Sequence, residues 1–206
     1  MAREDWYRNK EWNSNIAEAF TAKLKRARDK PQYLRIQASY LADKHPTVAL
    51  ELFDQYFSLG DTFDHSQANV GRAEAYIALG KIDNAIAAYE AALAFEAIKP
   101  NVLTQAYLAL PFLVATKKLS DHYGSALEIL NKHKDRLMFP VDHFQWCAAQ
   151  SLIASASGLS AKAAEFARNA ILSSRETHSG FRYHPSIGLV SKDYDLLIKQ
   201  LSQIAS

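Results

Sequence analysis

The sequence predicts an all-α fold, on three observations. Apolar residues recur at helical spacing through most of the chain, and glycine and proline are sparse, at 7 and 6 of 206 residues. One alanine-centred pattern also returns four times, at Ala49, Ala85, Ala126 and Ala163. Its intervals of 36, 41 and 37 residues fall in the range of helical-hairpin repeats. A hairpin of this size buries its apolar face only against its neighbours, so about four stacked hairpins with an extra helix at each end are expected. The chain is read as one domain, with a cap over residues 1–30, repeats over 31–175, and a loop and second cap over 176–206.

Taken in order, Ser14 is placed to cap a first helix whose apolar positions Ile16, Phe20, Leu24 and Ala27 share one face. The repeats follow as pairs of helices. Tyr33 to Ala42 precedes the stripe Ala49, Leu50, Phe53, Tyr56 and Phe57. Gln67 to Leu79 precedes the clearest copy, Ile82, Ala85, Ile86, Tyr89, Ala92 and Leu93. Val102 to Lys117 precedes Ala126, Leu127, Leu130 and His133, and Pro111 inside it is expected to kink or split the helix. Asp142 to Ser157 precedes Ala163, Ala164, Ala167, Ala170 and Ile171. Pro46, Gly80, the Ser120–Asp121 pair and Gly158 punctuate the hairpins. A last helix, with Tyr194, Leu197, Ile198 and Leu201 on one face, is expected to be capped by Ser191. The small residue that heads each second stripe has a steric reason: a larger one would push two close helix axes apart.

Through Ala73, Tyr76, Gly80, Ala85, Tyr89, Ala92 and Leu93 the second copy resembles the tetratricopeptide repeat, and the resemblance spans about Pro31 to Leu172. Tyr123, Ala126 and Leu130 carry it in the third copy, and Tyr40, Ala49 and Phe53 in the first. It implies a right-handed α-α superhelix. Tyr56, His133 and Ala167 depart from the family pattern, and the 41-residue interval is long, which implies irregular packing there. The resemblance also implies a concave groove, lined in part by Leu34, Ala38, Leu41, Val70, Glu74, Ile77, Ala148 and Leu152, that binds an extended peptide or partner helix. Where family members that clamp a chaperone's C-terminal carboxylate use polar residues, this chain has Leu34, Ala38, Gly71, Leu108 and Phe112, so no such clamp is expected. An apolar groove also invites self-association, which makes a homodimer the alternative partner.

Composition limits the remaining classes. A formal charge of +2 supports no general claim about nucleic acid or an anionic membrane. The longest apolar stretch, Ala106 to Thr116, is too short to span a bilayer. One cysteine, Cys147, excludes an intrachain disulfide, and the N-terminus lacks the apolar core of a signal peptide, so a cytoplasmic protein is expected. The seven histidines form no i, i+4 pair, and there is no phosphate loop or nucleophile elbow. No catalysis, cofactor or metal is expected, and Cys147 reads as a buried, inert thiol.

Three segments hold alternative functions. The loop His178 to Val190 joins His178, Arg182, Tyr183 and His184, which would suit a small-molecule or catalytic pocket in which Arg182 holds an anion and a histidine moves protons. The competing reading is a structural crossing. The run Lys23 to Lys30, with Lys23, Lys25, Arg26 and Arg28, suits a phosphate backbone, but a solvated helix face opposite Phe20 and Leu24 is the expected state. Trp6 to Trp12 reads as an anchor for the first helix, with an exposed partner patch as the alternative.

Overall fold

The computed structural model describes residues 5–60 and 63–206. Ten α-helices run through them: α1 (Ser14–Arg26), α2 (Lys30–Leu41), α3 (Pro46–Ser58), α4 (His65–Ala78), α5 (Ile82–Ile98), α6 (Ala106–Thr116), α7 (Tyr123–Lys132), α8 (Pro140–Ala156), α9 (Ser160–Ser174) and α10 (Asp195–Ile204). The helices pack in adjacent pairs. The chain divides into two compact units, one ending at Ala106 and the other beginning at Tyr107.

In the first unit α2 packs on α3 and α4 on α5, with α3 against α4 and α1 against α2. Its core gathers Phe20, Leu34, Leu41, Phe53 and Tyr56, all buried. The segment ahead of α1 is held here by both packing and polar contacts. The Trp6 ring lies 4.9 Å from Tyr33 and 5.4 Å from Phe20. Gln37, fully buried, accepts from the Asn9 amide and side chain (3.1 and 2.8 Å) and donates to the Asn9 carbonyl (2.8 Å). This is the anchoring role expected of the tryptophans. The cap of α1 is one residue earlier than expected, because the Asn13 side chain accepts from Ile16 N–H (3.0 Å) and Ser14 opens the helix.

The second unit pairs α8 with α9, lays α10 on α9 and α8, and sets α7 on α8. Phe144, Ala148, Ala167, Ala170 and Leu201 form its core, with Tyr194 against Phe144 at 5.0 Å. Ser191 does not cap α10. Its hydroxyl donates to Asp193 Oδ2 (2.9 Å), and a 3-10 turn, Lys192–Tyr194, comes before the helix.

The four alanines are structurally equivalent. Each is the fourth residue of its helix, in α3, α5, α7 and α9, and each is at most 1% exposed. Three of the turns leading into these helices are equivalent too. Gly80, Lys118 and Gly158 adopt the left-handed conformation, at φ of 71°, 56° and 75°. In each case the next residue's N–H bonds back five positions, Lys81 to Tyr76, Leu119 to Val114 and Leu159 to Ala154, at 2.9–3.0 Å. These are Schellman closures, which satisfy carbonyls that a helix end leaves open. From Gly80 and Gly158 the repeat alanine follows five residues later, but from Lys118 eight later, since the 3-10 turn Ser120–His122 intervenes. That insertion accounts for most of the long 41-residue interval.

Lys118 occupies a position that costs an L-residue with a side chain about 1–2 kcal/mol. Part of that is offset by the larger chain entropy glycine loses on folding. Lys118→Gly is therefore expected to raise stability by about 0.5–1 kcal/mol, seen as a higher urea midpoint at unchanged slope.

The helix expected from Val102 starts instead at Ala106, and Pro111 lies inside it without splitting it. Glu96 decides the start. Its Oε1 accepts from the amide and hydroxyl of Thr104 (2.7 and 2.6 Å), and Thr104 Oγ1 in turn accepts from Ala106 N–H (3.2 Å). Residues 102–105 are thereby held outside the helix.

Candidate functional site

The expected groove residues fall into two groups. Leu34, Ala38, Leu41, Val70 and Ala148 are buried, at 0–6% exposure, and Leu152 is 9% exposed at the edge of a cleft with Ala115, Leu197 and Ile204. As side chains they belong mainly to the cores. Glu74 and Ile77 differ, because they reach the surface on one face of α4. Ala148 and Leu152 lie in the second unit, the other six in the first.

Two neighbouring clefts of the first unit meet at Ser39 and Asp43 on α2 and the turn after it. One, of about 310 Å³, runs between α2 and α4 and is bordered by Ala42, Glu74 and Ile77. The other, of about 420 Å³, is bordered by Lys10, Tyr40 and Lys44. Ser39 Oγ is buried without a hydrogen-bond partner. Glu74 reaches solvent, yet the cleft walls surround it closely enough to raise its carboxyl above the ordinary range, and no described cation offsets that burial. Tyr89 is raised as well, first by burial and then by the Glu74 charge. At the far end Lys44 is already engaged by Glu11 (2.8 Å). The open polar groups of the α2–α4 cleft are therefore acidic or neutral, while exposed Lys10 borders the other cleft.

The second unit has a cleft of about 350 Å³ between α7, α8 and α9. Its walls include Leu127, Ile153 and Phe166, and Lys162 and Glu165 stand at its edge, both exposed. Gln150 borders it. That residue is 7% exposed, and its Nε2 is buried with no acceptor. Sequence reasoning missed Gln150 because, within an apolar helical stripe, an amide looks like any other polar residue on the way to solvent.

The 178–190 loop is ordered around a buried serine, Ser179. Ser179 N–H donates to the Pro185 carbonyl (2.8 Å) and its hydroxyl to the His184 carbonyl (2.7 Å). His178 Nδ1 accepts from Gly180 N–H (2.9 Å), and Arg182 lies over the Tyr183 ring at 5.4 Å. His178, Arg182, Tyr183 and His184 are all exposed. Phe181 packs on Phe139 (5.3 Å), and Val141 N–H donates to the Gly188 carbonyl (2.9 Å), so the loop lies on the start of α8.

Lys23, Lys25, Arg26 and Arg28 are exposed, and the first three fall in the last turn of α1, where cations complement the helix dipole. Cys147 is 7% exposed, and burial pushes its thiol up to about 11, with Lys134 acting weakly in the opposite direction. Such a thiol stays protonated and is a poor nucleophile at neutral pH. Among the described residues no group of three or more His, Cys, Asp or Glu is placed to hold a metal ion, and no helix is long and apolar enough to cross a membrane.

No family model, curated protein or solved structure matches this chain.

Proposed function

We propose that the chain is a tetratricopeptide-like scaffold, including the right-handed superhelix that reading implies, and that it binds an extended peptide along the α2–α4 face of its first unit. Four buried alanines at one helical register and three matching Schellman turns support the repeat reading. The observation that carries the binding reading is the pair of clefts joined at Ser39 and Asp43. They offer what an extended chain needs, namely adjoining hollows for successive side chains.

The chemistry of the face narrows the guest. Asp43 and Glu74 border the α2–α4 cleft together, and the partial burial that raises the Glu74 carboxyl is offset by no described cation. A lysine or arginine side chain entering there supplies that cation, while Ile77 and Ala42 cover its aliphatic stem. The guest is therefore a peptide with a basic residue flanked by apolar ones. The α2–α4 cleft itself has no lysine or arginine in its lining to hold a free C-terminal carboxylate.

Peptides selected against the wild-type protein from a displayed random library test this reading. They are expected to be enriched in lysine or arginine, and to bind Glu74→Lys or Ile77→Glu at least about tenfold more weakly, one buried charge-assisted contact being sufficient for that loss. Selected peptides without basic residues, or with unchanged affinity for both variants, would remove it.

A further inference from the structure

Residues 5–12 are held on the protein as a bound peptide would be, not as an element of secondary structure. Among the described residues no main-chain hydrogen bond joins them to the remainder of the chain. None of them is itself buried, yet Phe20 and Gln37 beneath them are 3% and 0% exposed. Gln37 takes the place of a neighbouring main chain. Its Oε1 accepts from Asn9 N–H and its Nε2 donates to the Asn9 carbonyl, so one buried amide reads both backbone groups of a single residue. A buried amide costs stability unless a partner meets it, and among the described residues the hydrogen bonds of Gln37 all go to Asn9. The aromatic anchors fall three residues to either side. Trp6 packs on Tyr33 and Phe20 (4.9 and 5.4 Å), Trp12 packs on Phe20 (5.7 Å), and Glu11 pairs with Lys44 (2.8 Å). The start of α1 does not need the segment, because Asn13 caps it through its side chain to Ile16 N–H and its carbonyl to Ala17 N–H.

We infer that the face built from Phe20, Tyr33, Gln37 and Lys44 is a recognition site for a peptide with tryptophans three residues before and after an asparagine. The chain's own residues 6–12 fill it in cis, and the same pattern on another chain fills it when they are displaced. Hydrogen bonds to the guest's main chain set its register, and the buried aromatic anchors supply most of the affinity. Tethering makes the chain's own segment a strong competitor, so a guest in trans binds best where that segment has been weakened. The inference is independent of the peptide proposed for the α2–α4 cleft, whose test turns on Glu74 and Ile77 and not on Gln37.

The test uses full-length Trp6→Ala/Asn9→Pro, whose own segment has lost one anchor and the N–H that Gln37 binds. It is titrated with a fluorescein-labelled peptide of residues 5–13, and binding is read by anisotropy. Saturable binding is expected, at least about tenfold tighter than to the wild type, whose site is already filled. A peptide N-methylated at the Asn9 amide, and one carrying Trp6→Ala, are each expected to bind about tenfold more weakly. Adding Gln37→Leu to the protein should cost a similar factor and leave it indifferent to the N-methyl group. The peptide changes leave the protein untouched, so a folding defect does not mimic them, and Trp6→Ala alone replaces the double variant if that one folds poorly. No saturable binding, equal affinity for the wild type and the variant, or an affinity insensitive to N-methylation would each overturn the inference.

Discussion

Gly188→Ala is expected to detach the 178–190 loop from α8, with a loss of about 2–5 kcal/mol in that docking. Two costs act at one atom. Gly188 sits at φ 65°, where an added Cβ costs about 1–2 kcal/mol in the backbone alone. That Cβ would also stand 2.4 Å from Phe139 Cγ and 2.5 Å from its Cβ, and such overpacking costs about 1–3 kcal/mol. The phenyl group cannot swing away cheaply, because the clash falls at the root of the side chain and the ring is held against Phe181. The loop's bond from Val141 N–H to the Gly188 carbonyl should be lost with it. Limited trypsin digestion reads the result at Arg182, which should be cut at least about tenfold faster in the variant. Equal rates in the two proteins would show that the loop does not depend on this approach.

Gly71→Ala carries a disagreement of sign, which makes it the sharper test of packing in the first unit. In an exposed helix the change gains roughly 1 kcal/mol, because alanine loses less chain entropy. Here the new Cβ would lie 2.3 Å from Phe53 Cζ, and Phe53 is wholly enclosed, so its ring has nowhere to move. Overpacking of about 1–3 kcal/mol should outweigh the propensity gain of about 1 kcal/mol, leaving a net loss of up to about 2 kcal/mol by urea denaturation. Phe53→Leu alone should be destabilising, but combined with Gly71→Ala it should cost less than the two separately. That negative coupling is the expected signature of a direct contact. A Gly71→Ala protein as stable as the wild type, or strictly additive changes, would disprove the tight approach of α4 to α3.

The helices and their pairing were legible because one period runs through them. Ala49, Ala85, Ala126 and Ala163 each stand fourth in a helix and each is buried, as a residue limited to a close helix contact must be. The departures came from groups whose effect depends on partners distant in sequence or hidden from periodicity. Glu96 moves the start of α6 by holding Thr104, and nothing in an apolar count marks a glutamate that will accept two hydrogen bonds. Lys118 fills a left-handed position that sequence rules reserve for glycine, so the turn after α6 was placed two residues late, at Ser120. The binding surfaces were less legible than the core. Leu34, Ala38 and Leu41 look alike whether a stripe faces a groove or a neighbouring helix, and only the packed chain separates them from Glu74 and Ile77.

The placement of the three indole side chains gives the molecule its own optical labels. Trp6 and Trp12 pack against the core of the first unit, and Trp146 against that of the second, where its Nε1 donates to the Leu130 carbonyl at 3.1 Å. Emission from Trp146→Phe therefore monitors melting of the N-terminal half alone, and emission from a Trp6→Phe/Trp12→Phe chain monitors the C-terminal half. Comparing their midpoints separates the fates of the halves without cutting the polypeptide.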